Sequence, residues 1–404
     1  MDTVRLKSIW GQLQVQVADY QDHAAAHAQA IDGQPFVVTR VAFEKLPLDF
    51  EVACDAHDKI TIFRFVPTGT APSARRKEEL KAVEARVETD GVRVRPLAVG
   101  SPFGPLQGAL TLPAGNGPFP GVVVAGSGPN DRDETIGPNK PLRDIAEGLA
   151  VAGIASLRYD KRTLTYGAQM MARGKATVDD EVIDDALTAV DVLGQQKQID
   201  ARHLFVLGHS LGAMMAPRIG KRDPALSGLI LLAAPARPHL DLMIEQFRYL
   251  GGQQGLSPQQ IQQRVAPIVA ERKLLDHANP KQPMQGSFFG VPQRYWMSLH
   301  ACHPVAVAAS LSKPMLILQG GTDYQVSPQR DFLRWKAALG HDPRVQFQEY
   351  PGLSHLFMPA GHPPSPADYH VPGHVDAQVI HDIAAWIETH VQGERTRVPG
   401  RGSI

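Results

Sequence analysis

The stretch LFVLGHSLGAMMA, residues 204–216, sets Ser210 between Gly208 and Gly212. A serine hydroxyl is a weak nucleophile until a base takes its proton. A working nucleophile therefore needs a histidine beside it and a carboxylate to orient that histidine. By itself G-x-S-x-G says little in a chain with 36 glycines. Its setting says more. One apolar run leads into Ser210 and another leads away, which is the strand–turn–helix context of a nucleophile elbow. Such a turn strains the serine backbone, and larger flanking residues would collide with the neighbouring strand and helix. The competing reading is a plain helix N-cap with two convenient glycines.

Sixteen histidines make any single one meaningless, so position must choose. In open parallel sheets, functional groups collect in loops at the carboxyl ends of the strands. Asp323 follows MLILQGG after one threonine and His355 directly follows VQFQEYPGLS, so both are placed there. His209 precedes the nucleophile and is expected to point away from its Oγ. Asp331 and Asp342 fall within or after the next helix and read as surface residues. His362, His370 and His374 lie in the Pro-rich GHPPSPADYHVPGH without i,i+4 pairing, which reads as a loop rather than a zinc site. No metal and no cofactor are expected.

Acyl transfer also requires donors for a developing oxyanion. The backbone N–H of Leu211, at a helix start, is one candidate. The N–H of Ser127, between Gly126 and Gly128 after GVVVAG, is the other, although a simple glycine turn fits that stretch too. Arg132, Asp133, Arg158, Asp160, Lys161 and Arg162 crowd the same loops. They read as ion pairs bracing the loops, with recognition of a substrate carboxylate as the alternative.

The elements that must position these groups follow from periodicity. Short β-branched runs recur at 121–126, 153–160, 203–210, 228–234, 314–323 and 345–352, with helical stretches between most of them. Residues 177–193 place Val178, Val182, Ile183, Ala186, Val190 and Leu193 on one face. Residues 374–390 do the same with Val375, Val379, Ile383, Ala384, Trp386 and Ile387. Strands that are apolar almost throughout are buried on both faces, so a doubly wound, mostly parallel α/β sheet is expected. Between the strands near 228–234 and 314–323 lies a long insertion with amphipathic helical stretches and the aromatics Phe288, Phe289, Tyr295 and Trp296. It reads as a helical cap over 236–312. About half of its large apolar groups are expected to form its own core, and Phe289 and Trp296 to line an acyl pocket.

Ahead of the sheet, residues 1–75 read as a small α+β domain. Short helices are expected between Trp10 and His27, then strands around Val37–Phe43, Phe50–Val52 and Ile60–Phe65. Residues 76–95 read as a linker, 96–392 as the main domain and 393–404 as a flexible tail. Forty-one basic residues balance forty-one acidic ones, so no net field favours nucleic acid. Cys54 and Cys302 form no framework. The apolar runs are too short to span a membrane. The start MDTVRLKSIWGQ has no signal-peptide core, which leaves the compartment open between cytoplasmic and, for a trimmed chain, exported. Oligomeric state is not legible.

Taken together, GSGPNDRDETIGPNKPLRDIAEGLA, LRYDKRT, GHSLGAMMAPRI, GGTDYQV and GLSHLF resemble bacterial α/β-hydrolases of the esterase and acyl-hydrolase type that carry a small extra domain in front. The chain order Ser, Asp, His is that family's order. The resemblance implies Ser210, Asp323 and His355 as a catalytic triad, the three that position had selected. The front unit is similar to the cone-shaped α+β domain found ahead of such enzymes, with its first helix short or missing. The expected function is a serine carboxylesterase acting on small-molecule esters of short to medium acyl chains. A thioesterase or peptidase on the same fold is the first rival, and a non-catalytic binding protein the second.

Overall fold

The computed structural model describes residues 20–31, 34–43, 48–54, 60–67, 86–87, 89–172, 176–279, 282 and 284–397. The chain divides into two units, Met1–Lys81 and Ala82–Ile404.

The described part of the first unit is an antiparallel sheet of β1 (Tyr20–His23), β2 (His27–Ile31), β3 (Gln34–Phe43), β4 (Leu48–Cys54) and β5 (Ile60–Pro67). Alternation gives it one buried face: Phe36 and Val38 are buried, while Val37 between them is half-exposed. The helices expected over Trp10–His27 are corrected in part, because Tyr20–His23 and His27–Ile31 are strands paired with β3. Residues 1–19 lie outside the described residues, as does much of the expected linker. Alanine-rich local sequence favours helix, but pairing with an available strand overrides so weak a preference. Asp32-Gly33, between β2 and β3, was the hairpin signal to weigh against it.

The second unit is built on a nine-stranded sheet of order β16-β15-β12-β11-β9-β10-β8-β7-β6. Its strands are β6 (Arg86–Val87), β7 (Arg93–Pro96), β8 (Gly108–Leu112), β9 (Phe119–Ala125), β10 (Ala155–Tyr159), β11 (Ile199–His209), β12 (Gly228–Leu232), β15 (Met315–Gly320) and β16 (Val345–Tyr350). The six from β9 onward that belong to this sheet run parallel, and β6 to β8 join antiparallel. This is a mostly parallel α/β sheet. The strands Arg86–Val87 and Arg93–Pro96 fall within the stretch expected as a linker, 76–95, apart from Pro96 itself. Short antiparallel edge strands lack the long apolar runs that made the others visible.

Side-chain alternation divides the core between the two sheet faces. Val122, Val124, Phe205 and Leu207 pack with α1 (Pro141–Val151) and α10 (Ala377–Arg397). Val123, Ala125, Leu204 and Val206 pack on the other side with α3 (Asp184–Gly194) and α4 (Leu211–Arg222). A shorter α2 (Arg162–Ala172) follows β10, and α9 (Leu333–Leu339) precedes β16. The helix expected over 177–193 opens with a π-helical turn at Asp179–Ile183. The last helix runs to Arg397, into the expected flexible tail; residues beyond 397 lie outside the described set.

Between β12 and β15 stand α5 (His239–Gln253), α6 (Pro258–Asp276), the hairpin β13 (Ser287–Phe288) and β14 (Val291–Pro292), α7 (Gln293–His300) and α8 (Pro304–Ala309). Ser257 and Gln260 form a reciprocal capping box at the start of α6.

The passage from β11 into α4 is very tight. A Cβ on Gly212 would run into the carbonyl of Ala125 on β9, and one on Gly208 into the main chain of Gly212 and Ala213. Gly212→Ala is therefore expected to cost at least about 1–3 kcal/mol, the usual penalty for overpacking. A thermal melt checks it, and an unchanged midpoint would show that β9 and α4 yield easily. Deletion of residues 1–81 removes none of the nine strands and is expected to leave a folded domain. Circular dichroism and a cooperative melt of the truncated chain test this; insoluble protein would contradict it.

Candidate active site

Ser210 lies between the last residue of β11 and the first of α4, at φ 53° and ψ −117°. This left-handed backbone costs a non-glycine residue roughly 1–3 kcal/mol and persists only where its surroundings enforce it. Here the enforcement is visible. The Ser210 N–H donates to the Leu232 carbonyl at 2.9 Å, and its own carbonyl accepts from Met214 N–H at 2.9 Å. The side chain makes no capping hydrogen bond, which removes the plain N-cap reading.

Asp323 follows β15 and His355 follows β16, and the fold brings them together. His355 Nδ1 lies 2.7 Å from Asp323 Oδ2, with both residues about 95% buried. The carboxylate is saturated by further donors. Oδ1 accepts from the N–H groups of Gln325 (2.7 Å) and Val326 (3.0 Å), and Oδ2 also accepts from Gln319 Nε2 (3.1 Å). An anion held by four donors is fixed in place. Gln319 went unnoticed in the sequence because its role depends on two loops closing around it.

His209 does point away from the serine. Its Nδ1 lies 2.8 Å from Glu134 Oε2, and its Nε2 lies 2.9 Å from the carbonyl oxygen of His355. Burial opposes a charge on this ring, yet the neighbouring Glu134 carboxylate prevails and raises its pKa above the ordinary histidine value. Glu134 was missed in the sequence. It meets His209 across 75 positions with no periodic signal to announce it.

Leu211 opens α4, so its N–H stands at a helix N-terminus, and Ser127 stands in the loop after β9. The charged residues around that loop are paired. Arg132 forks onto both oxygens of Asp160 at 2.8 and 2.9 Å, Arg158 pairs with Asp133, and Arg162 with Asp185. Burial pushes the Asp160 carboxyl up to about 6 against the pull of Arg132. Bracing is thus what this cluster does. Lys161 differs, being buried with no hydrogen-bond partner for Nζ and a pKa lowered by burial.

The insertion attaches near the same edge. Tyr295 of α7 donates its hydroxyl to Glu181, whose carboxyl would meet any Cβ placed on Gly128. Trp296 was expected to line the pocket; it is buried in the core, and its indole N–H donates to the Phe288 carbonyl at 2.9 Å. Phe289 sits at the tip of the β13–β14 hairpin at φ 50°, 36% exposed, with its ring against Phe288. Asp331 is also not a surface residue. It is fully buried and holds Arg237, which also pairs with Glu245 of α5 at 2.6 Å. Asp342 is partly buried against Arg344. Among the described residues, no three His, Cys, Asp or Glu side chains converge as metal ligands, and no helix is long and apolar enough to cross a membrane.

The family profile described as serine aminopeptidase, S33 matches residues 140–359. Esterase EstD of Thermotoga maritima is 35% identical over 386 residues, covering 95% of this chain and 86% of its own. Among solved structures, 2,6-dihydroxy-pseudo-oxynicotine hydrolase superposes with a TM-score of 0.47 at 16% identity, over 74% of this chain and 69% of that one. A hyperthermophilic esterase from the archaeon Pyrobaculum calidifontis gives 0.47 at 16% identity, over 74% and 86%. The chain belongs to this serine aminopeptidase S33 family, and is a serine hydrolase of the α/β-hydrolase fold.

Proposed function

We propose that the chain is a carboxylesterase that cleaves small esters of short to medium acyl chains through an acyl-serine intermediate. The observation that carries this reading is the buried 2.7 Å Asp323–His355 bond at the carboxyl edge where Ser210 occupies a strained turn. In this reading His355 Nε2 takes the Ser210 Oγ proton as the hydroxyl attacks the ester carbonyl. Asp323 holds the Nδ1–H tautomer and stabilises the imidazolium. The N–H groups of Leu211 and Ser127 receive the oxyanion. His355 then returns the proton to the leaving alcohol, and water repeats the sequence on the acyl-enzyme. The likeness to an esterase along nearly the whole chain favours an ester over the peptide bond that the family's description names.

Ser210→Ala is expected to abolish ester hydrolysis and fluorophosphonate labelling; stoichiometric labelling of that variant would remove Ser210 from the role. Asp323→Asn is expected to lower kcat by roughly 10⁴-fold while the protein stays folded, as a wrongly held tautomer does. Substrate class is read from p-nitrophenyl esters of graded acyl length assayed beside acyl-CoA and aminoacyl substrates. Activity is expected to rise with length, each accepted methylene contributing about 1 kcal/mol or less, and then to stop. Phe289→Ala is expected to move that stop to longer chains, and an unmoved stop would take Phe289 out of the pocket. Trp296→Ala is expected to destabilise the fold by about 3–5 kcal/mol, read as a lower Tm, and to lower activity at every acyl length alike.

A further inference from the structure

Glu134 and His209 take no part in the acyl-transfer steps, yet both are at least 97% buried against the groups that do. Glu134 holds a left-handed backbone at φ 52°, a strain that its surroundings must sustain. Each nitrogen of the His209 ring faces an acceptor: Glu134 Oε2 at 2.8 Å from Nδ1 and the His355 carbonyl oxygen at 2.9 Å from Nε2. A neutral imidazole has one N–H and satisfies only one of them. Two bonds require a second proton, on the ring or on the carboxyl. Either placement gives the same count, one proton more than a neutral ring beside a carboxylate. Leaving a buried acceptor opposite a bare ring nitrogen is costly, so the surroundings select the protonated pair.

The groups around the ring agree. Glu134 approaches from the loop after β9. From the loop after β16 come the His355 ring, its centroid 4.7 Å away, and the Phe357 ring at 6.5 Å. The Asp323 carboxylate, after β15, adds to the field that favours a cation on His209, while buried Lys161 lies within the field of Glu134. The same Glu134 carboxyl supports the other side of the site: a Cβ on Gly126 would lie 3.0 Å from Oε1, so the carboxyl abuts the loop that carries Ser127.

We propose that Glu134 and His209 are a positioning pair that shares a second proton, and that this proton fixes the His355 main chain and so the register of its imidazole with Ser210. Above the pH at which the pair loses that proton, one of the two bonds is lost and the base loosens. The wild-type enzyme therefore carries an alkaline loss of kcat that belongs to a histidine outside the reacting groups. This inference rests on the acyl-serine reading, with His355 as the base.

The test is the pH profile of kcat and KM on p-nitrophenyl acetate for wild type, His209→Gln and Glu134→Gln. A glutamine amide at 209 donates at every pH, so the alkaline fall is expected to disappear in His209→Gln. There kcat is expected to drop by roughly 10- to 100-fold, the penalty of a slightly misplaced base, with KM within about twofold. In Glu134→Gln the fall is expected to move to lower pH, because the carboxylate that retains the proton is gone. Superimposable alkaline limbs in all three proteins would overturn the proposal. If the variants do not fold, nitrogen-15 spectra of histidine-labelled wild type decide it. Together with carbon-13 spectra of the glutamate carboxyls, they are expected to show a buried second proton at pH 8, seen either as an imidazole with both nitrogens protonated or as a protonated Glu134 carboxyl. The absence of both would overturn the pair. Hydrolysis retained by Ser210→Ala would instead count against the acyl-serine reading, which the spectra do not depend on.

Discussion

The approach of α4 to β9 is the constraint on which the site depends. Gly212 stands against the Ala125 carbonyl with no room for a Cβ, and Gly208 stands against the helix's first turn. With the helix that close, the chain has one residue in which to turn from strand to helix. That residue is Ser210, and it takes the left-handed conformation the turn requires. The same approach sets the Leu211 N–H, at the start of α4, near the loop that leaves β9 at Ala125. Leu211 to Pro217 are all buried, so the helix start cannot drift without disrupting the core on which it rests.

Around this turn most of the charged groups are held in pairs. Asp323 has four donors, and the guanidinium groups of Arg132, Arg158 and Arg162 each meet a carboxylate on the loops after β9 and β10 or on α3. Buried pairs of this kind contribute little net stability, since desolvation offsets attraction. Their consequence is rigidity: backbone donors aimed at a developing charge are effective only when they need not reorganise. Glu134 extends the same logic by touching the loop after β9 and, through His209, the loop after β16. The insertion is fixed in the same manner, through Tyr295 to Glu181 and through Arg237 between Asp331 and Glu245.

Much of this was legible in the sequence where the signal is local. Six parallel strands announce themselves as apolar runs because both of their faces are buried, and the elbow glycines are needed for contacts on either side of the serine. Asp323 and His355 could be chosen from sixteen histidines and many acids because carboxyl ends of parallel strands share one edge. The strands at Arg86–Val87, Arg93–Pro96 and Gly108–Leu112 escaped notice, being short and antiparallel at the sheet's end. Tyr20–His23 and His27–Ile31 escaped because a weak helical preference concealed their pairing with β3.

What only the tertiary structure decided was the partnership of groups distant in sequence. Trp296 looked like a pocket wall by its size and became core through the carbonyl its indole found; Asp331 looked like a surface acid and became the buried anchor of Arg237. Glu134 and His209 could not have been paired from composition or period, because hydrogen bonding in a dry interior depends on which loops meet. Residue type and spacing determined which chemistry was available to this chain. The closing of loops over one sheet edge decided which residues hold it in place, since burial is a property of the assembled fold rather than of any segment.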